Sequence, residues 1–138
     1  MGLDCQNCKA RNSQLCSVFN DENIGDLFSI AHPVKVVKGS YLLHEEDSTK
    51  YVYNLSSGVS AVERLASDGR RQIMAFVYPG DFIGISSGPA YSISDRALTG
   101  VTACKWHMRD IEALYVKYPE LEHRVHEIAT RVLAATMD

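Results

Sequence analysis

Three cysteines near the start of the chain could bind a metal. Cys5, Cys8 and Cys16 lie within twelve residues of one another. A Cys-x2-Cys pair places two thiolates on one tight turn, and a third follows after seven intervening residues. Structural zinc and iron–sulfur clusters both take four ligands, and thiolates suit either. The spacing therefore predicts a bound metal centre that lacks one ligand.

Cys104 is the candidate for the fourth ligand, although it lies far along the sequence in a β-like stretch. The fold would have to bring it to the N-terminal loop. The alternative for Cys104 by itself is a buried cysteine that packs as a small hydrophobic residue. Zinc is an alternative metal, although zinc fingers and ribbons usually carry two paired knuckles and this chain has a single Cys-x2-Cys.

Length and composition narrow the class of protein. The 138 residues match one domain that can bury a core without cross-links. We expect a cytoplasmic protein with no membrane contact, because the sequence has no long apolar run and no signal-peptide region. In a reducing compartment, four cysteines indicate metal or redox chemistry rather than disulfides. The formal net charge of −3 and the scattered basic residues predict weak nucleic-acid binding by this chain alone.

The middle of the chain has the pattern of short antiparallel strands. Asn20 or Asp21 can cap a short helix that ends before Pro33. Glycine-rich turns, such as Ser67-Asp68-Gly69 and Tyr78-Pro79-Gly80-Asp81, then separate short β-branched and aromatic runs. This pattern predicts a mainly β jelly roll or barrel whose core does not include the N-terminal loop. The runs are Val34 to Val37, Tyr51 to Leu55, Val59 to Leu65 and Arg71 to Tyr78.

The last part of the chain is predicted to be helical. One helix covers Met108 to Tyr118, and Pro119 opens a second helix at its first turn. Apolar residues then recur in steps of four and three, as in a coiled-coil seam. We predict a homodimer through this helix, the alternative being that the helix lies on its own sheet. The chain stops at Asp138 inside the pattern, which suggests a fragment. The seam residues are Leu121, Val125, Ile128 and Val132, with Ala135 continuing the series.

No arrangement of side chains in the sequence is typical of catalysis, so we expect a protein that is not an enzyme. The histidines do not form an H-x-H or H-E-x-x-H motif. They are His32, His44, His107, His123 and His126.

Two stretches, Met74 to Gly84 and Arg96 to Cys104, resemble the sensory domain of the CRP/FNR transcription regulators. The resemblance covers about residues 20 to 138 and implies a cyclic-nucleotide-binding-like jelly roll with flanking helices and a C-terminal dimerisation helix. The N-terminal Cys-x2-Cys-x7-Cys loop together with Cys104 resembles the FNR branch of oxygen sensors. That branch implies an oxygen-labile 4Fe-4S cluster bound by Cys5, Cys8, Cys16 and Cys104.

The resemblance also implies partners and a division of the chain. It implies a DNA-binding helix-turn-helix domain, absent from this chain, and contact with RNA polymerase in the full-length protein. We divide the chain into a cysteine-rich metal-binding loop (1–19), a sensory β-roll with flanking helices (20–118) and the start of the dimerisation helix (119–138).

The chain departs from the nucleotide-binding members of this superfamily at two positions. Those members follow the glycine at the Gly84 position with glutamate, whereas this chain continues Ile85-Ser86-Ser87. They also place an arginine where this chain has Ser94, and the nearest arginine is Arg96. A cyclic nucleotide receptor is therefore an alternative function that lacks its usual residues.

Overall fold

A computed structural model describes residues 16–20, 22–85 and 88–136, except for the side chains of residue 17 and residues 131–136. Within these residues the chain forms two antiparallel four-stranded sheets, which confirms the predicted mainly β class. The first sheet has the strand order β1-β8-β3-β6 and the second has the order β2-β7-β4-β5. The strands are β1 (His32–Val36), β2 (Tyr41–Leu43), β3 (Tyr51–Ser57), β4 (Ser60–Leu65), β5 (Arg71–Val77), β6 (Phe82–Ile83), β7 (Ser94–Ala97) and β8 (Val101–His107).

Alternating side chains along β3 and β8 supply two separate hydrophobic clusters, because successive residues of a strand point to opposite faces. The inner cluster lies between the two sheets. It consists of Leu42, Leu43, Tyr53, Leu55, Val77, Ile83, Tyr91, Ile93, Ala97, Val101 and Ala103.

The outer cluster joins the opposite face of the first sheet to the helices. These are α1 (Ile24–Phe28), α2 (Met108–Ala113) and α3 (Pro119–Thr136), and a 3-10 turn (Cys16–Val18) precedes them. The outer cluster consists of Cys16, Phe19, Ile24, Leu27, Val52, Ile85, Cys104, Trp106, Ile111, Leu121, Val125, Ile128 and Ala129.

Both predicted turns are present. In the β4–β5 hairpin the Gly69 amide donates to the Ala66 carbonyl over 2.9 Å, and Gly69 has a φ of 88° that glycine adopts without a steric penalty. At the second turn the Asp81 amide donates to the Tyr78 carbonyl over 3.0 Å. The strands β2, β6 and β7, which the sequence did not reveal, are short and pair with longer neighbours.

The N-terminal predictions need two corrections. The Asn20 side chain accepts the amides of Glu22 and Asn23, both over 2.9 Å, in the turn before α1, but the N-cap residue of α1 is Asn23 and not Asn20. In addition, Cys16 is only 5% exposed and Phe19 only 2%. Both belong to the outer cluster, so the end of the N-terminal loop is part of the core and the expectation that the core excludes it was wrong. The apolar side chain of Phe19 supplies the anchor.

The predicted dimer seam also needs correction. Leu121, Val125 and Ile128 are between 0% and 8% exposed in the single chain, because they pack into the outer cluster. This face of α3 therefore covers the first sheet and is not available to a second copy. Spacing in steps of three and four fits either arrangement, and the apolar face of the sheet decides between them. The side chain of Val132 lies outside the described residues.

The helix α3 begins at Pro119, as the sequence predicts, but α2 is shorter than the predicted Met108 to Tyr118 and ends at Ala113. Among the described residues, no helix is long and apolar enough to cross a membrane.

Candidate metal centre

Cys104 lies on β8, in the interior of the first sheet. Pro33 of β1 faces it on one side and Asn54 of β3 on the other. The cysteine is 5% exposed and belongs to the outer cluster. Trp106, on the same face of β8, donates its indole N–H to the Leu27 carbonyl over 3.0 Å and fixes α1 over this face. Strand alternation therefore directs Cys104 toward the helices and away from the space between the sheets.

Cys16 reaches the same cluster from the N-terminal side. It begins the 3-10 turn, its carbonyl accepts the Phe19 amide over 3.2 Å, and the turn packs against α3. Two of the four predicted ligands are thus brought into one buried region by the fold. Cys5 and Cys8, which form the Cys-x2-Cys pair, lie outside the described residues.

The two thiols are donors of the kind that soft metals prefer. Apolar burial favours a neutral thiol unless a metal or a positive group stabilises the thiolate. Sulfur donors select zinc and iron–sulfur clusters over hard cations. Among the described residues, no group of three or more His, Cys, Asp or Glu side chains is arranged to hold a metal ion. The donors present fit a thiolate-bound centre, and a complete ligand set would need both Cys5 and Cys8.

The region that would bind a cyclic nucleotide has a different organisation. Arg96 points its guanidinium at Glu63, with Nε and Nη2 at 3.0 and 2.8 Å from Oε2. Glu63 is 3% exposed, and Arg71 also approaches its Oε1 at 3.4 Å. The hydrogen bond and the charge of Glu63 raise the pKa of Arg96 above its usual value. Because its charge is neutralised within the sheet, Arg96 is not free to hold a phosphate.

Two further positions support the same conclusion. Ile85 is buried in the outer cluster, so no carboxylate stands after Gly84. The Ser94 hydroxyl accepts a hydrogen bond from the Glu45 amide over 2.9 Å. Ser94 therefore has a structural role at this position. Between the sheets, the Tyr91 hydroxyl donates to the Tyr51 carbonyl over 2.7 Å and accepts the Tyr51 amide. A tyrosine bonded to the backbone thus fills part of the interior of the roll.

A buried carboxyl group that the sequence analysis missed lies on β7. Asp95 is fully buried, and its Oδ1 accepts the Ser60 hydroxyl over 2.9 Å. Its Oδ2 is a buried side-chain oxygen with no hydrogen-bond partner in the described part of the chain. Burial raises the pKa of Asp95 to about 7. The hydrogen bond from Ser60 acts in the opposite direction and lowers the pKa, and the charge of Glu63 makes a smaller contribution that raises it. The sequence held one signal for this residue. Asp95 and Arg96 are adjacent, so on a strand one of the two side chains must point inward.

The Asp95 carboxyl predicts a specific pH dependence. Its pKa is about 7 in the folded state, against an ordinary value of 3.8 for an aspartate side chain. The folded state therefore binds a proton that the unfolded state releases, and stability falls as the pH rises between these values, at about 1.4 kcal/mol per pH unit at most. We expect Asp95→Asn to be more stable than the natural chain at pH 8 and nearly equal at pH 4. Urea unfolding of both proteins across this range is the measurement, and a difference that does not change with pH would contradict the prediction.

Comparisons with known proteins agree with the fold. The family model described as "Cyclic nucleotide-binding domain" matches residues 33–118. Nitrogen fixation regulation protein FixK of Bradyrhizobium diazoefficiens is 31% identical over 137 residues, which are 99% of this chain and 58% of that protein. Transcriptional activator protein FnrL of Cereibacter sphaeroides is 22% identical over 134 residues, 97% of this chain and 54% of that protein. The chain thus spans little more than half the length of these curated relatives.

A solved structure matches the chain almost from end to end. The N-terminal domain of a transcriptional regulator from Streptomyces coelicolor A3(2) superimposes with a TM-score of 0.74 at 24% identity, covering 97% of this chain and 95% of that one. This likeness shows the jelly-roll fold, and the family model and the relatives supply the grouping. The chain belongs to the cyclic nucleotide-binding domain family, in the CRP/FNR group of transcription regulators.

Proposed function

We propose that this chain is the sensory and dimerisation domain of an FNR-like transcription regulator of the cytoplasm, which senses oxygen through a 4Fe-4S cluster. Cys5, Cys8, Cys16 and Cys104 would hold the cluster. When bound, such a cluster supplies an oxygen-labile link between the thiolates that ligate it. The observation that supports this proposal most directly is the burial of Cys16 and Cys104 in one cluster, although they are far apart in the sequence.

The N-terminal turn has a direct connection to the helix that would carry a signal onward. The Phe19 ring lies 4.8 Å from the Tyr118 ring, edge to face. The Tyr118 hydroxyl donates to Asp26 of α1, and the Lys117 ammonium donates to the same carboxylate over 3.0 Å. These hydrogen bonds lower the pKa of Asp26. Residues next to Cys16 are therefore tied to the point where α3 begins.

The burial of the Leu121 face of α3 limits how a dimer could form. A second copy would have to contact a surface of α3 other than the Leu121 face, because that face is buried in the chain itself. Loss of thiolate ligation would loosen the turn that packs on α3. In a dimer, that change would reach DNA through a domain beyond this chain, with two half-sites read by two subunits. A coupling of about 1–3 kcal/mol is enough to change occupancy several-fold.

Anaerobic purification tests the proposal. We expect a brown protein with about four iron and four sulfide ions per chain, the composition of one cubane cluster on four cysteines. Exposure to air should bleach the visible spectrum and release the iron. A colourless protein with one zinc ion per chain would instead identify a zinc-stabilised structural domain, and a protein with neither metal would overturn the proposal.

A cyclic nucleotide receptor is the second candidate, favoured by the match to the family model alone. The Arg96–Glu63 pair and the backbone-bonded Tyr91 argue against it. Calorimetric titration with cyclic AMP and cyclic GMP should give no heat of binding, and saturable binding at micromolar concentration would support the receptor instead.

A further inference from the structure

Asn54 is a buried polar residue directly beside Cys104. The two residues face each other across the β3–β8 ladder, so their side chains lie on the same face of the sheet. Such cross-strand neighbours have Cβ atoms about 4.5–5.5 Å apart. Asn54 is 1% exposed, and its neighbour on the same face of β3, Val52, belongs to the outer cluster.

The Asn54 carboxamide is bonded to the turn between β5 and β6. Its Nδ2 donates to the Gly80 carbonyl over 3.1 Å and to the Asp81 carbonyl over 3.3 Å. The backbone of Leu55, the next residue, is also hydrogen-bonded to this turn. Its amide donates to the Asp81 carbonyl, and its carbonyl accepts a hydrogen bond from the Gly80 amide. Asp81 closes the turn by accepting the Tyr78 amide at Oδ2 over 2.9 Å.

This arrangement is specific to a carboxamide. A buried amide is costly unless its polar atoms are bonded, so an apolar residue would be the simpler choice at this position. Two N–H groups on one nitrogen can hold two successive carbonyls, and a hydroxyl group has only one hydrogen to donate. Asn54 therefore links the strand position next to Cys104 to the Tyr78–Asp81 turn.

We propose that Asn54 is a positioning residue for Cys104, which fixes the thiol against the Tyr78–Asp81 turn. The importance of this role for metal binding rests on the proposed function, but the positioning itself is a property of the metal-free chain. Opening of the turn exposes Cys104, whereas Cys16, which enters the same cluster from the 3-10 turn, is held by other contacts.

The rate of thiol alkylation tests the proposal without any metal. The metal-free chain is treated with iodoacetamide under reducing conditions, and mass spectrometry measures modification at each cysteine. We expect Asn54→Leu, which has a similar shape, to raise the rate at Cys104 by about tenfold through the loss of two hydrogen bonds. The rate at Cys16 should stay within about twofold of the natural chain, because local opening at β3 leaves the 3-10 turn in place.

Two further variants complete the experiment. Ser57→Ala removes a hydroxyl contact with Thr102 between the same two strands and leaves the Asn54 bonds to the turn in place, so it should leave both rates unchanged. Asp81→Ala removes the side-chain contact with the Tyr78 amide but keeps the backbone carbonyl that Asn54 bonds. It should loosen the turn and raise the rate at Cys104 several-fold, which provides a test even where Asn54→Leu does not fold. Equal acceleration at both cysteines would show a general loss of stability and overturn the proposal, as would an unchanged rate at Cys104 in Asn54→Leu or Asp81→Ala.

Iron analysis separates this inference from the proposed function. Absence of iron from the anaerobically assembled natural chain would refute the cluster and leave the alkylation result to decide the role of Asn54. A cluster present in the natural chain, together with unchanged alkylation in the variants, would refute only the role of Asn54.

Discussion

Cys104→Ser is expected to lower the iron retained after anaerobic assembly by at least about tenfold, since changes outside the ligand shell alone cost about 10–100-fold. The structure adds an effect on stability. Cys104 is 5% exposed in the outer cluster, where a thiol packs as a small hydrophobic group and the more polar hydroxyl of serine is costlier to bury. The variant should therefore lose both iron and part of its unfolding free energy. Iron and sulfide analysis, together with urea unfolding, measures the two effects.

A matched control separates ligand loss from a weakened fold. Ala103 is 2% exposed, lies next to Cys104 on β8 and faces the inner cluster. Ala103→Ser also buries a hydroxyl in this strand, so it should lose stability while it retains iron. Full iron and sulfide in Cys104→Ser would show that four-cysteine ligation is wrong.

Ile128→Ala is expected to lower the free energy of unfolding of the single chain by about 2–5 kcal/mol. Ile128 is 5% exposed and packs with Trp106 and Ile111 in the outer cluster. Truncation leaves a cavity that the surrounding helices and sheet fill only in part. Because domains of this size are stable by only about 5–15 kcal/mol, the loss is a large fraction of the total. Urea unfolding followed by the fluorescence of Trp106, the single tryptophan, measures it.

An exposed residue of the same helix provides the control for Ile128→Ala. His126 is exposed on α3, and His126→Ala should change stability by no more than about 0.5 kcal/mol, as surface substitutions usually do. Sedimentation velocity distinguishes the two arrangements of the helix. If Ile128→Ala dissociated a dimer and left the unfolding midpoint unchanged, the Leu121 face would meet a second copy after all.

Features that depend on local physical chemistry could be predicted from the sequence. The turns at Gly69 and Gly80 require a positive φ that glycine adopts readily, and the start of α3 follows from the missing N–H of Pro119. The β-branched and aromatic run from Tyr51 to Leu55 predicted the strand β3. The cysteine spacing predicted a metal-binding motif from the residue types alone, and metal binding by Cys5, Cys8, Cys16 and Cys104 remains a prediction.

Features that depend on which residues meet across the fold were decided by the tertiary structure. Glu63 neutralises Arg96 from a neighbouring strand, and no local pattern pairs these two residues. Asp95 is buried because β7 lies between β2 and β4, whereas its sequence neighbours are polar or charged. The apolar stripe of α3 fits a partner helix or a sheet equally well by spacing. The outer face of the first sheet is also apolar and belongs to the same chain. The stripe of α3 therefore packs against this face and is buried within the chain.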